Sequence, residues 1–500
     1  MEVRIASRKS ALARIQSYLV AAGLRAAHPG LRVSFHFSES LGDKNLEDPL
    51  WKMPEKGVFT MDLQQDLLAG RCDVVVHSWK DLPVEAHPET VIAATLPRAD
   101  VRDVLLLRRD ALNAKPARVK ILSSSPRRAY NLGALLPELL PWTVAAADFA
   151  SVRGNVSTRI RKLLEGDAHG IVLAKAGLDR LLAPPGGTGD VDLDETAAHL
   201  SSMLARCVPM VLPVSRNPAA PAQGALALEI RADRADLHSL LAKVHCAGTY
   251  ERVQEERSIL KLHGGGCHQK IGATRLPHPL GELLAVRGLT EGGLELRQWN
   301  FIAQSASSGR RAEAWPLDPK DAVFFEREAT GVARPQGYDA FFVARADAWP
   351  LQWERRSGDL LWTSGLDTWK KLAKAGILVN GSAEGLGENG AFVALEPLFG
   401  RRHWLKLSHE AGVPAEVPTL ATYRLRPRSD GPRSWVGKKT FYWMSASAFE
   451  AACSLDPSIR TARHACGPGH TFGRLTELLG PSETVSVFLD HAAWLASLSE

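Results

Sequence analysis

Cysteine is scarce in this sequence: six in 500 residues, at 72, 207, 246, 267, 453 and 466, with no C-x-x-C pair. That excludes a disulfide framework and suits a reducing compartment. Long apolar runs are missing too. The most apolar stretch, near 134–150, is broken by Pro137, Glu138, Pro141 and Asp148, whereas a bilayer crossing needs roughly 20 apolar residues. The opening "MEVRIASRKS" leads into a strand pattern and lacks a signal-peptide core. A cytoplasmic protein without a membrane partner is therefore expected. There is no long Lys/Arg run and no zinc-finger spacing, and the net charge is a modest +6, so nucleic acid is not an expected partner. Short-period repeats and low-complexity tracts are also absent. What remains is ordinary globular composition, 45% hydrophobic and 23% charged, at a length that suggests about three or four domains.

The first 200 residues alternate short β-rich runs with helical patterns, which predicts an α/β fold. "EVRIA" (2–6), "LRVSFHF" (31–37), "CDVVVH" (72–77), "DVLLLRR" (103–109), "VKILSS" (119–124) and "GIVLA" (170–174) read as strands. Leu12, Ile15, Leu19 and Leu24 fall at helical spacing behind a Ser10 cap. Thr60 caps and Gly70 stops another predicted helix. A smaller α+β unit is expected over about 230–330, and "GVARPQG" (331–337) reads as a linker. Eight of the thirteen tryptophans lie beyond residue 340, which marks a separate C-terminal domain.

Basic residues recur where strands end and helices begin. In "SSSPRRAYNL" (123–132), Ser125 is the cap, Pro126 the first helical residue, and Arg127 and Arg128 fill the first turn. Two cations oppose the positive end of a helix dipole, a misfit expected where function overrides stability. "SVRGNVSTRI" (151–160) places Arg153, Gly154 and Asn155 in a turn before a helix with Ser157 as cap and Arg159 in its first turn. "ASRKSAL" holds Arg8, Lys9 and Ser10, and "EKGVFT" holds Lys56. In an open α/β sheet these positions face the ligand crevice, so one polyanionic ligand explains all four. "HSWKD" (77–81) adds Lys80 and one carboxylate, Asp81. Asp81 either holds a cationic intermediate or moves protons, or it is a salt-bridge partner of the arginines.

"HGGGCHQKIG" (263–272) surrounds one cysteine with glycines and histidines. Three readings stand: a metal site of His263, Cys267 and His268, a reactive thiol on a flexible loop, or an inert cysteine in a turn.

Together "RIASRKSALA", "EKGVF", "HSWKDLPVE", "SSSPRR", "RGNVSTR", "AQGAL" and "GGGCHQKIG", in this order, resemble the porphobilinogen deaminase (hydroxymethylbilane synthase) family over roughly residues 1–330. The resemblance implies two periplasmic-binding-protein-like domains around a cleft, 1–97 with 204–228 and 98–203, then a small α+β domain over 229–330. It implies a transferase that condenses four porphobilinogens into linear hydroxymethylbilane on a dipyrromethane cofactor bound through Cys267, which leaves no metal role for that loop. Asp81 and Arg8 match catalytic positions. Lys80, Ser124, Ser125, Arg127, Arg128, Arg153 and Gly154 match positions around the cofactor, and Ser10, Lys56, Asn155, Arg159 and Gln223 match positions around porphobilinogen and the growing chain. Every ring carries an acetate and a propionate, which suits planar guanidinium groups. A monomer is expected. The rival class is a non-catalytic anion-binding protein of the same fold, which needs neither Asp81 nor Cys267.

The sequence departs from that family at Ala222 (usually glycine), Lys175 (usually small), Lys270 (usually proline), His263 (usually apolar) and the proline-rich segment 204–221. Residues 338–500 resemble uroporphyrinogen-III synthase more distantly, through strand–serine–helix units at 359–387 and 440–455 and the turn in "ACGPGHTFGRLTELLG". That implies a flavodoxin-like α/β domain, shorter than the family's own, with Ser445, Ser447, Thr471 and Tyr423 as matched positions. A shortened domain of this sort is expected to be separable from the deaminase, and a remnant kept for docking is the other reading.

Overall fold

The computed structural model describes residues 1–39, 60–265, 269–302, 309–387, 393–410, 417–429, 432, 434–480 and 484–500. Lys56 and Cys267 lie outside them. The chain is an α/β protein that divides into two compact units. The first comprises Met1–Arg275 with Ala285–Arg297 and Pro397–Gly400, and the second comprises the rest.

The first unit is built on two five-stranded sheets. Strands β1 (Glu2–Arg8), β2 (Arg32–Ser38), β3 (Val74–Ser78) and β4 (Thr90–Ala94) lie in one, and β5 (Asp103–Arg108), β6 (Arg118–Leu122), β7 (Ala146–Ala150), β8 (Gly170–Ala174) and β9 (Cys207–Val211) form the other. Strand β10 (Leu226–Arg231) returns to the first sheet, giving the orders β2-β1-β3-β10-β4 and β7-β6-β8-β5-β9. In each, three strands run parallel and the crossing strand, β10 or β5, is antiparallel to both its neighbours. The two sheets therefore share one winding. The chain passes between them twice, from β4 to β5 and from β9 to β10.

The hydrophobic pattern explains the packing. Val3, Ile5, Val74 and Val76 present one face of the first sheet to Val20, Ala21 and Leu24 of the helix Ala11–Ala27. Val75, on the opposite face, meets Leu63 and Leu67 of the helix Met61–Leu68. This period-2 alternation fixes which residues at the end of β3 reach which side. Downstream, the helices Ala235–Ala242 and Ala247–Leu262 precede a three-stranded sheet of Gly272–His278, Gly281–Leu289 and Glu295–Phe301.

The second unit differs from expectation. A four-stranded parallel sheet is formed by Ala314–Trp315, Thr440–Trp443, Arg463–Cys466 and Val485–Val487. A six-stranded sheet has the order Phe325–Ala329, Thr419–Pro427, Trp404–His409, Ala340–Val343, Leu360–Thr363 and Gly381–Ser382. All its pairs are parallel except the first, Phe325–Ala329 with Thr419–Pro427. Residues 314–329, which the sequence pattern joins to the preceding domain, thus belong to the C-terminal sheets. Trp315 is the reason: it packs against Trp435, Phe441 and Trp443 in that unit's aromatic core. Its own strand is too short, and "FEREA" too polar, to carry a strand signature. No helix among the described residues is long and apolar enough to cross a membrane.

Candidate functional site

Strand β3 ends in a tight turn. Trp79–Asp81 form one 3-10 turn whose Trp79 is buried among Ala222, Ala225, Ala227 and Val253. That anchor leaves Asp81 exposed. A pocket there is lined by Arg8, Ser10, Gln16, Thr60, His77 and Asp81, among others. Ser10 also caps its helix, accepting from the Ala13 N–H at 3.4 Å.

Lys80 is held by a glutamine. Its Nζ donates to Gln223 Oε1 at 3.2 Å, and burial pulls its ammonium down to about 8, with Asp81 opposing and Arg128 reinforcing the shift. Gln223 is itself buried and donates through Nε2 to the Val101 carbonyl and to Asp103 Oδ1, at 2.7 and 2.9 Å.

Asp103 is the organising carboxylate that sequence reasoning missed. It accepts from Arg127 Nη2 (2.9 Å), Arg128 Nε and Nη2 (3.1 and 2.7 Å) and Asn217 Nδ2 (2.9 Å). Arg127 Nη1 donates to Asn217 Oδ1 and the Pro218 carbonyl, and Arg128 Nη1 donates to the Val172 carbonyl. Both arginines are buried. Asp103 thus supplies one counter-charge to the two cations at this helix start, and one net positive charge remains. Burial raises the Asp103 carboxyl, but Arg128 and Arg127 outweigh it and hold the group far below the usual carboxylate range.

Ser125 caps the helix Pro126–Gly133, accepting from the Arg128 N–H at 3.4 Å. Ser124 ties the ends of two strands together: its Oγ donates to the Val152 carbonyl at 2.7 Å and accepts from the Val152 N–H at 2.9 Å. In the next turn the cap is Asn155, not Ser157. Its Oδ1 accepts from the Thr158 N–H at 2.8 Å, and the helix runs Val156–Glu165 with Ser157 inside it. Gly154 has φ +113°, and a Cβ there would stand 2.8 Å from Thr158 Cγ2, so the turn demands glycine. Arg159 Nε donates to the Gly154 carbonyl at 2.6 Å. Burial pulls Arg159 below its ordinary value, as do Arg128, Arg153 and Arg8, while Asp81 opposes them. Arg8, Arg128, Arg153 and Asp81 thus all lie within electrostatic reach of Arg159.

Lys175 does not join them. It is fully buried, 2.6 Å from Asp179 Oδ2 and 3.5 Å from Asp100 Oδ2, which closes it to any ligand. The neck of the glycine loop is pinned instead by Gln269, whose Nε2 donates to the His263 carbonyl at 2.6 Å. Gly264 and Gly265 take φ +98° and +66°, and a Cβ on Gly265 would lie 3.6 Å from Val84 Cγ2. The loop therefore starts beside the segment that follows Asp81.

A family model described as porphobilinogen deaminase, dipyromethane cofactor binding domain, matches residues 3–239. The chain is 37% identical over 286 residues to a porphobilinogen deaminase of Roseiflexus sp. (strain RS-1), covering 57% of this chain and 84% of that protein. It is 38% identical over 288 residues to one of Syntrophomonas wolfei, with the same two coverages. A third, of Chromobacterium violaceum, is 35% identical over 323 residues, 64% of this chain and 91% of that protein.

Proposed function

The chain belongs to the porphobilinogen deaminase family, and from that premise we infer that it is a transferase of tetrapyrrole (haem) biosynthesis that condenses four porphobilinogens head to tail into hydroxymethylbilane, releasing ammonia. Its cofactor is dipyrromethane. The observation that carries the reading is the identity shared over most of the relatives' length. The common winding of the two sheets supports two periplasmic-binding-protein-like domains around a cleft.

The residues fit a carboxylate-rich cofactor. Asp81 shares a pocket with Arg8 and lies within electrostatic reach of Lys80 and Arg159, and Asp103 already offsets part of the charge of Arg127 and Arg128. We propose Cys267 as the covalent anchor, supported by the pinned loop neck beside Val84. When bound, the group supplies the pyrrole carbon on which the chain is extended. The protein's share is positional and electrostatic. Arg8, Arg153 and Arg159 take ring carboxylates, with Ser10 and Asn155 nearby. Lys80 adds a charge that Gln223 orients. The buried Arg127–Asp103–Arg128 group, with Ser124 and Ser125, holds the wall rigid. Asp81, exposed within this field, stabilises the cationic methylene-pyrrole left when ammonia departs from substrate. An anion-binding protein without chemistry has no use for that carboxylate. Conversion of porphobilinogen to hydroxymethylbilane by the purified chain tests the reading, and binding without turnover would favour the anion-binding protein.

For the C-terminal unit we propose a uroporphyrinogen-III synthase-like domain. The observation favouring it over a remnant is its architecture, two α/β sheets that are parallel throughout except for one antiparallel pair at the edge of the six-stranded sheet. Ser445 caps the helix Ala446–Leu455, with Ser447 in its first turn. Thr471 lies in the first turn of the helix His470–Leu479, and Tyr423 is buried in the strand Thr419–Pro427. After oxidation, type III uroporphyrin from the full chain supports this proposal, and type I alone refutes it.

A further inference from the structure

His77 is a buried histidine near the end of the strand that leads into Asp81, and it is among the residues lining the pocket that holds Arg8, Ser10 and Asp81. The ring Nε2 lies 2.7 Å from Glu229 Oε2. Glu229 is equally sealed, with 2% of its surface accessible, and accepts from Thr90 Oγ1 at 2.5 Å and Gln64 Nε2 at 2.8 Å. Burial pushes the Glu229 carboxyl up, but His77, Thr90 and Gln64 outweigh that and lower it, and the three donors around its two oxygens suit a carboxylate. A carboxylate only accepts, so a neutral His77 holds its proton on Nε2. The other ring nitrogen, Nδ1, is then a bare acceptor, with no hydrogen-bond partner among the described residues. It is also not among the buried polar atoms left without one. A carboxylate that fixes the tautomer of a histidine opening on a pocket is the arrangement of a general base.

Chain extension needs such a base. When the new carbon–carbon bond forms, the attacking pyrrole carbon must release its hydrogen as a proton. Asp81 must stay anionic through that step, because it faces the cation.

We propose that His77, with its tautomer set by Glu229, is the base that takes this proton, a role that rests on the deaminase reading above. In the step, the carbon–nitrogen bond of porphobilinogen's protonated aminomethyl group breaks, nitrogen leaves as ammonia with the bonding pair, and the cationic methylene-pyrrole remains. The ring carbon of a porphobilinogen already incorporated bonds to the freed methylene. The electron pair of its carbon–hydrogen bond then returns to the ring as the proton passes to Nδ1 and on to solvent. No oxidant or further reactant is needed.

The test begins with the native chain, whose turnover of porphobilinogen checks the underlying reading independently of His77. His77→Gln should keep the cofactor mass and lose about 100-fold or more in kcat, with KM little changed. Imidazole should restore part of the rate. Porphobilinogen deuterated at its free pyrrole carbon should turn over more slowly than the protio form in this variant, by a larger factor than in the native enzyme. Glu229→Gln, which preserves the shape of the pair, serves if His77→Gln does not fold, and should show the same isotope sensitivity. With histidine-selective nitrogen-15 labelling, the signal lost in His77→Gln should report an Nε2–H tautomer in the native chain. A kcat loss under tenfold, or a loss with neither isotope effect nor imidazole rescue, would overturn the proposal. So would a native signal showing the proton on Nδ1.

Discussion

Arg128 grips Asp103 with two nitrogens, Nη2 on Oδ1 at 2.7 Å and Nε on Oδ2 at 3.1 Å, in the buried wall behind the site. Arg127 shares the same carboxylate. Removing one partner of such a group leaves charge buried and unmatched, which typically costs about 3–5 kcal/mol. Asp103→Asn should lower stability by about that much in urea titrations and impair cofactor assembly. Because the Asp103 carboxyl is held below its unfolded value, its contribution is fully present above the ordinary carboxylate range and is lost as pH falls from that range towards the much lower folded value. The variant should lose that part of the native acid dependence. A change under about 1 kcal/mol, the net worth of one ordinary hydrogen bond, would show that Asp103 is dispensable.

Asp81 carries the opposite expectation. It is exposed, so Asp81→Asn should leave stability unchanged and the cofactor in place. Turnover should fall by about 100- to 1000-fold if the carboxylate stabilises a developing cation. Near-native kcat would reduce it to a surface charge.

Lys80 should impose a pH limit. Its ammonium, pulled by burial to about 8, is charged below that pH and neutral above it. Loss of the charge weakens carboxylate binding, so KM for porphobilinogen should rise above about pH 8. In Lys80→Arg the rise should vanish over the same range, since a guanidinium stays protonated. An unchanged profile in that variant would assign the limit to another group.

Ala222 has φ +67°, a left-handed backbone, while its N–H donates to Glu256 Oε2 at 2.8 Å. A side chain there costs roughly 1–2 kcal/mol. Ala222→Gly should therefore stabilise the chain by about 1 kcal/mol, read as a shift in the urea midpoint, once glycine's extra unfolded-state entropy is allowed for. A destabilised variant would mean that packing of the methyl outweighs the strain.

The boundary between the units is testable by truncation. A chain ending at Gly331 retains Trp315 and Phe324 but loses Trp435, Phe441 and Trp443, their core partners. It should aggregate, whereas a chain ending at Ile302 should stay soluble and make hydroxymethylbilane. Equal behaviour of the two would place the boundary nearer the breaker-rich stretch 331–337.

Local grammar is legible in the amino-acid order itself. Ser10 and Ser125 cap the helices they precede, and Pro126 opens its helix as its fixed backbone angle favours. Long-range partners are not legible there. Asp103 opens an apolar strand, and its bonds to Asn217 and Gln223 span 114 and 120 residues. His77 and Glu229 are 152 apart. Such pairs are set by the double crossing between sheets, to which no short motif points. Ser157 has the chemistry of a cap, but Asn155 reaches the free N–H first. The resemblance locates Cys267 and Lys56 by motif alone, and both lie outside the described residues.

The most direct test of the account is the intact mass of the purified chain, followed by peptide mapping. The account predicts one dipyrromethane adduct, mapped to the peptide carrying Cys267 and absent from a folded Cys267→Ser variant. An unmodified native chain, or the same adduct mapped to Cys72 or Cys246, would contradict it.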